Sequence, residues 1–178
     1  MTDTDPAASA EPTAAESTPS RASPTKESIR GELEASRSQY HELRNSLSAE
    51  DWNKKSGNPS WNVRQLMWHL GRGMDFFGEA VGQCRSGKAP NPPGFLLDIG
   101  NTLLTRWGSR GATKQSVGEK YDAAHEKLVS LLEGVQDGEW QKGVTTYGTP
   151  YTMESVFRGP KEHFAEHAAD IKKGLGRS

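Results

Sequence analysis

Cysteine is nearly absent from this sequence: Cys84 stands alone, so no disulfide can form within the chain. A basic excess is absent too. Lys and Arg total 22 against 23 Asp and Glu, and no run of like charge marks a nucleic-acid-binding face. No apolar run approaches the roughly 20 residues that a bilayer-crossing helix needs. The period-two alternation of Val, Ile and Thr that marks sheets is missing, apart from a short stretch near Val144–Tyr147 where one strand is allowed. Residues 1–25 contain no Leu, Ile, Val or aromatic residue and cannot bury enough surface to offset the entropy of ordering. They are predicted to be a disordered N-terminal tail. The same stretch carries Asp3, Asp5, Glu11 and Glu16 against Arg21, which is not the basic-then-apolar pattern of a signal peptide. The expectation is a soluble cytoplasmic protein that binds neither nucleic acid nor membrane, with a globular domain at residues 26–178.

What is there is helical periodicity, four times over. Ile29, Leu33, Tyr40, Leu43 and Leu47 make one stripe. A second segment runs from about Trp61 to Arg85, with Ser60 as its expected N-cap and Val63, Leu66, Leu70, Phe77, Val81 and Cys84 facing inward. In that setting Cys84 reads as a small buried hydrophobe. A third runs from about Ser116 to Gly134, with capping-box spacing between Ser116 and Glu119. The fourth runs from about Thr152 to Leu175, and Pro160 within it is expected to kink or restart the helix. Four amphipathic helices in one domain predict an all-α four-helix bundle.

The joints carry a second pattern. Ser48-Ala-Glu-Asp-Trp52 and Asp137-Gly-Glu-Trp140 occupy matching places after the first and third helices. One helix–loop–helix unit used twice explains both. Between the halves lies a long connection from Gly87 to Thr113, rich in proline and glycine. A connection of that length is expected to be a crossover or a lid, and it allows the second and third helices to run parallel.

His163 and His167 are four apart on the fourth helix, so both imidazoles leave one face, the spacing by which one helix offers two ligands to one metal. His163-Phe-Ala-Glu-His167 also matches the H-x-x-E-H pattern of inverted zinc peptidases. That class takes a third ligand from well downstream, and the eleven residues after His167 hold no His, Cys or Glu. The third ligand is therefore sought upstream. His69 lies between Leu66 and Leu70, near the inward edge of the second helix. A buried His needs a partner. Three neutral imidazoles leave positions open for water or substrate, the catalytic rather than the structural arrangement. His41 and His125 read as surface residues. Glu162 and Glu166 flank the pair; Glu166 is the candidate general base, although helical geometry turns it toward a solvated face. Trp61, Trp68, Phe76, Phe77 and Trp107 are candidate pocket residues, with Arg106 and Arg110 placed to take an anionic group; the plain alternatives are core aromatics and a solvated loop.

Trp61-Asn-Val-Arg-Gln-Leu-Met-Trp-His69-Leu resembles the second-helix motif of the DinB/YfiT-like superfamily, and His163-Phe-Ala-Glu-His167-Ala-Ala-Asp-Ile171 its fourth-helix motif. The two Trp-ending turns resemble that family's helix ends. The resemblance implies an up-down-down-up bundle and a divalent metal ion, Zn or Ni, on one His of helix two and two of helix four, which carry over to His69, His163 and His167. Relatives include transferases and isomerases that use low-molecular-weight thiols, and resistance proteins that disarm reactive natural products. The resulting expectation is a metal-dependent transferase, isomerase or hydrolase acting on a small electrophile, with a thiol as cosubstrate, in detoxification or self-resistance. The competing expectation is a binding or sequestering protein without turnover. Association into a homodimer would fit the general habit of bundles.

Overall fold

The computed structural model describes residues 24–90 and 92–177. The expected disordered tail thus lies outside the described residues, save Pro24 and Thr25. Thr25 opens helix α1 (Lys26–Ser46), its hydroxyl accepting a hydrogen bond from the Ser28 amide. The face that α1 buries is Ile29, Leu33, Ser36, Tyr40 and Leu43, at the three-and-four spacing of an amphipathic helix.

Helix α2 (Val63–Ser86) starts from Asn62, not from Ser60. Asn62 and Gln65 cap each other's backbone amides, both at 2.9 Å. The chain cannot turn helical sooner, because Asn62 is still bridged to Lys55 and Val63 donates to the Lys54 carbonyl. The helix ends at Gly87, whose φ of 65° is the left-handed conformation glycine adopts freely. Helix α4 (Lys114–Glu133), by contrast, starts earlier than expected. Thr113 is its cap, and Ser116 completes the box from inside the first turn.

The long connection is not a bare loop. It contains helix α3 (Gly94–Gly108), which its prolines and glycines had concealed. After α4, strands β1 (Gly143–Thr146) and β2 (Thr149–Thr152) form a hairpin, so the expected single strand has a partner. Tyr147 and Gly148 both take positive φ in the two-residue turn, as tight hairpins require.

Helix α5 (Met153–Gly174) runs unbroken through Pro160, so the chain does not restart there. One intrahelical bond is lost, but the turns on either side remain. Gly159, just before it, leaves space for the Phe77 ring of α2, whose Cζ would lie 2.7 Å from a Cβ placed there.

The helices make a bundle in which α2 packs on α4 and α5, and α1 packs on α4 and α5. Lys26 and Arg30, at the start of α1, reach Glu133 at the end of α4. Asp75 pairs with Lys120 and Arg85 with the Gly134 carbonyl, so α2 and α4 advance together. Arg158, early in α5, pairs with Glu32, early in α1. His69 faces His163 and Phe77 faces Gly159, so α2 and α5 run in opposite senses.

The repeated joint is visible in three dimensions. A short 3-10 turn follows both α1 (Asp51–Asn53) and α4 (Asp137–Glu139). Trp52 in the first and Trp140 directly after the second are buried. At the centre, Tyr40 stacks on Tyr121 with ring centroids 3.8 Å apart, and the Tyr40 hydroxyl donates to the Val117 carbonyl at 3.1 Å. Each such fully buried large side chain contributes about 1.5–3 kcal/mol from removal of apolar surface. Among the described residues, no helix is long and apolar enough to cross a membrane.

A candidate metal centre of three histidines

The antiparallel contact of α2 and α5 decides the site. His69 is on the second turn of α2, and His163 and His167 are on successive turns of α5. Each offers one ring nitrogen, and these atoms all lie within 4.8 Å of one another. His69 Nε2 and His163 Nε2 are 3.1 Å apart. His69 and His167 are buried and His163 nearly so.

The far side of two of the rings is held. Asp170 Oδ2 lies 3.3 Å from His167 Nδ1. Asp170 is itself anchored: Asn58 Nδ2 donates to its carboxylate at 3.4 Å, and the Gly57 amide donates to its carbonyl at 2.7 Å. Thr105 of α3, fully buried, brings its hydroxyl to 3.5 Å from His69 Nδ1. The Asp170 carboxylate only accepts, so it selects the His167 tautomer protonated at Nδ1 and leaves that ring's Nε2 lone pair free, whereas the Thr105 hydroxyl, which can donate or accept, orients the His69 ring. Two Nε2 lone pairs facing each other at 3.1 Å repel unless a proton or a cation lies between them. The third imidazole close by makes a divalent cation a fitting occupant, and three imidazoles suit both zinc and nickel.

Electrostatics point the same way. Burial lowers the pKa of His69 to about 4, helped by charge on His167 and Arg72. Burial also lowers His163 to about 3, with His69 and His167 adding to it. Both rings are therefore neutral at pH 7, the form in which imidazole can donate to a metal.

The aromatic candidates divide. Trp61 lies against His69 with centroids 4.4 Å apart and Phe77 lies 6.1 Å from His163, so these two flank the histidines. Phe76 extends this wall outward, 5.9 Å from Tyr147 and 6.0 Å from Tyr151. Trp68 turns instead toward α4, with Lys120 Nζ 4.7 Å over its ring. Trp107 is 66 % exposed, beneath the Arg110 guanidinium. Arg106 donates to the Ser60 carbonyl at 3.3 Å. Neither Trp107 nor Arg106 is brought to the histidines. Glu166 is exposed.

Two readings need correction. His125 is 1 % exposed rather than on the surface, because α4 packs on both α1 and α2 and position 125 shares a face with Tyr121 and Leu128. His41 is half buried, its Nε2 2.7 Å from Asp122. The sequence reading also missed Thr105 and Asp170 as supports of the imidazoles. Asp170 had a signal, the three-residue spacing from His167 that puts both on one helix face; Thr105 had none.

The comparisons with known proteins bear on the family and the fold. The model of the DinB superfamily matches residues 32–171. Among curated proteins, none matches this chain. Among solved structures, YfiT from Bacillus subtilis, described as a probable metal-dependent hydrolase with an unusual four-helix bundle topology, is similar with a TM-score of 0.65 and 16% identity, covering 92% of this chain and 95% of that one. The mycothiol-dependent maleylpyruvate isomerase is similar with a TM-score of 0.67 and 12% identity over 84% of this chain. This chain spans only 61% of that isomerase's length. At such identities the structures speak for the fold, whereas the family match covers most of the sequence. The chain belongs to the DinB superfamily.

Proposed function

We propose that this protein is a metal-dependent enzyme that acts on a small electrophilic molecule, with zinc or nickel on His69, His163 and His167. The observation that carries the reading is the convergence of three imidazoles from two helices, two of them held from behind by Asp170 and Thr105. The same reading takes the bundle as up-down-down-up, in keeping with the pairings of helix ends, and the protein as cytoplasmic. The similar isomerase uses mycothiol. A low-molecular-weight thiol is accordingly the proposed cosubstrate, and transfer or isomerisation the proposed reaction class, with hydrolysis the alternative outcome at the same site.

When bound, a divalent ion supplies Lewis acidity that lowers the pKa of a thiol or water, so that a nucleophile exists at neutral pH. The chain's own residues do the rest. His69 and His163, kept neutral by burial, present lone pairs without first losing a proton. Asp170 fixes which nitrogen of His167 carries the proton, and Thr105 orients the His69 ring. Trp61 and Phe77 wall the histidines with apolar surface, which excludes water and favours an apolar substrate body.

The test is the metal content of protein purified without a metal-binding tag, measured by mass spectrometry beside His69→Ala and His163→Ala. About one zinc or nickel per chain, lost in both variants, is expected. Consumption of model electrophiles with mycothiol, bacillithiol or glutathione then separates transfer from hydrolysis. A wild-type protein that holds no metal and takes up none on titration overturns the proposal.

A further inference from the structure

Acidic residues are missing from two stretches that the fold brings together. Residues 52–74 contain Lys54, Lys55, Arg64 and Arg72 but no Asp or Glu. Residues 99–118 contain Arg106, Arg110 and Lys114, again with no Asp or Glu. The chain as a whole is balanced, at a net charge of −1. The two stretches meet where the end of α3 crosses the start of α2: Thr105 reaches His69, Arg106 reaches Ser60 and Arg64 reaches Arg110.

The arginines at this crossing differ from the rest. Of the ten arginines among the described residues, six pair with a carboxylate: Arg30, Arg37, Arg72, Arg85, Arg158 and Arg177. Arg44 bonds the Asn45 side chain. The remaining three, Arg64, Arg106 and Arg110, have no carboxylate partner among the described residues, yet they are held. Arg64 Nη1 donates to the Arg110 carbonyl at 3.4 Å, and Arg106 Nη2 to the Ser60 carbonyl at 3.3 Å. The Arg110 guanidinium lies 4.5 Å from the centre of the Trp107 ring. A backbone carbonyl or an aromatic face positions a guanidinium without cancelling its charge. Arg64 Nε is, in addition, a buried donor for which the protein supplies no acceptor.

The place of the cluster gives it a use. Arg106 follows Thr105, whose hydroxyl stands at His69 Nδ1. Its guanidinium is tied to Ser60, one residue before Trp61, whose ring lies against His69. The cluster therefore borders the histidines without touching them. We propose that Arg64, Arg106 and Arg110 form an anion site at the rim of the histidine centre, which takes a carboxylate or phosphate group of a molecule that reacts there. The role at that centre rests on the catalytic reading above; the binding of the anion does not. Guanidinium forks match the paired oxygens of either group. Arg64 of α2 and Arg106 of α3 are tied across one crossing, which fits a compact anion better than the basic stripe along which nucleic acid lies.

The experiment titrates the full chain, stripped of metal and dialysed free of chelator, with inorganic phosphate, succinate and dimethyl succinate. Nuclear magnetic resonance follows the arginine Nε–H signals, and Arg30, paired with Glu133, is the internal reference. Phosphate or succinate should shift the Arg64, Arg106 and Arg110 signals along a saturating curve, and the uncharged ester should not. Saturation by only one of the two anions narrows the group to that chemistry. Arg64→Gln and Arg106→Gln should each weaken binding by about tenfold. Far-UV circular dichroism and an unchanged Arg30 signal check that each variant is folded. Shifts that never saturate, or that Arg30 shares equally, overturn the proposal, as does binding that survives both substitutions. So does co-sedimentation with phosphatidylcholine–phosphatidylserine vesicles that Arg106→Gln abolishes, which would assign the cluster to a membrane. With metal restored, the same substitutions should raise KM for whichever of electrophile and thiol bears the anion, and an unchanged KM for both overturns the role at the centre. The titrations involve no metal, so their failure is separate from a failure of the catalytic reading.

Discussion

His69 and His163 stand 94 positions apart in the sequence, yet their Nε2 atoms lie 3.1 Å apart. The antiparallel packing of α2 on α5 brings them together, and Gly73, one turn beyond His69, gives the His163 ring its space. With both rings kept neutral by burial, either one Nε2 donates its proton to the other or a cation lies between the two lone pairs.

That burial makes metal-free stability depend on pH. In the unfolded chain these histidines take up protons near their ordinary value of 6.5; in the folded one His69 resists to about 4 and His163 to about 3. Between those values the unfolded state binds more protons, so stability rises with pH. The contribution is complete above pH 6.5, falls away as the pH drops toward 4 and then 3, and declines no further below. Denaturant titrations in a chelator should show the wild type weaker at pH 5 than at pH 7, and His163→Ala with a smaller difference. Equal pH dependence in the two proteins would refute the assignment.

Asp170 acts through His167, so its removal should read out in metal affinity. Supports of this kind typically contribute 10–100-fold. Asp170→Ala should weaken zinc or nickel binding by about that factor in a chelator competition assay. The melting temperature of the metal-free protein should change little, because the Asp170 side chain is not fully buried and its backbone carbonyl still takes the Gly57 amide. Unchanged affinity would mean that His167 is oriented by packing alone.

The sequence disclosed the parts of this molecule that follow local rules. Ile29, Leu33 and Tyr40 lie on one stripe because a helix repeats every 3.6 residues, and all three are buried. His163 and His167 share a face for the same reason. His69 joined them by its place at the inward edge of its own helix. What stayed hidden depends on tertiary contact. Asn62 outcompeted Ser60 as a cap because the bridge to Lys55 keeps the preceding chain extended. His125 was read as exposed because a single stripe was assumed for a helix that packs on two neighbours. Helix α3 was overlooked because its apolar stripe faces outward and its start is crowded with proline and glycine.

Core energetics should separate cleanly from surface energetics on α4. Leu128 is fully buried, whereas Glu126, two residues earlier, is exposed. Leu128→Ala should cost about 2–5 kcal/mol in urea denaturation, by lost transfer energy and by the cavity left behind. Glu126→Ala should stay within about 0.5 kcal/mol of the wild type. Comparable costs at the two positions would contradict the orientation given to α4.

Two glycines of α2 test whether the imidazoles are held by steric fit. Alanine is about 1 kcal/mol better than glycine in a helix interior, so propensity alone favours replacing either. At Gly82 an added Cβ meets nothing within 4 Å, and Gly82→Ala should raise stability by up to that amount with metal binding intact. At Gly73 an added Cβ would stand 2.7 Å from His163 Nδ1, a contact that cannot be sustained. The imidazole is hemmed in by Phe77 and His69, so it can yield only by swinging away from the shared Nε2 position or by pushing α2 and α5 apart. Either response spoils the convergence of the three rings. Gly73→Ala should therefore lose metal by at least about tenfold in affinity, roughly 1.4 kcal/mol. Its far-UV circular dichroism should remain that of a folded bundle, since the helix itself is favoured. Metal titrations of the two variants side by side decide the matter, because equal affinities would show that the His163 ring has room to spare and that the site tolerates a methyl group where the packing says it cannot.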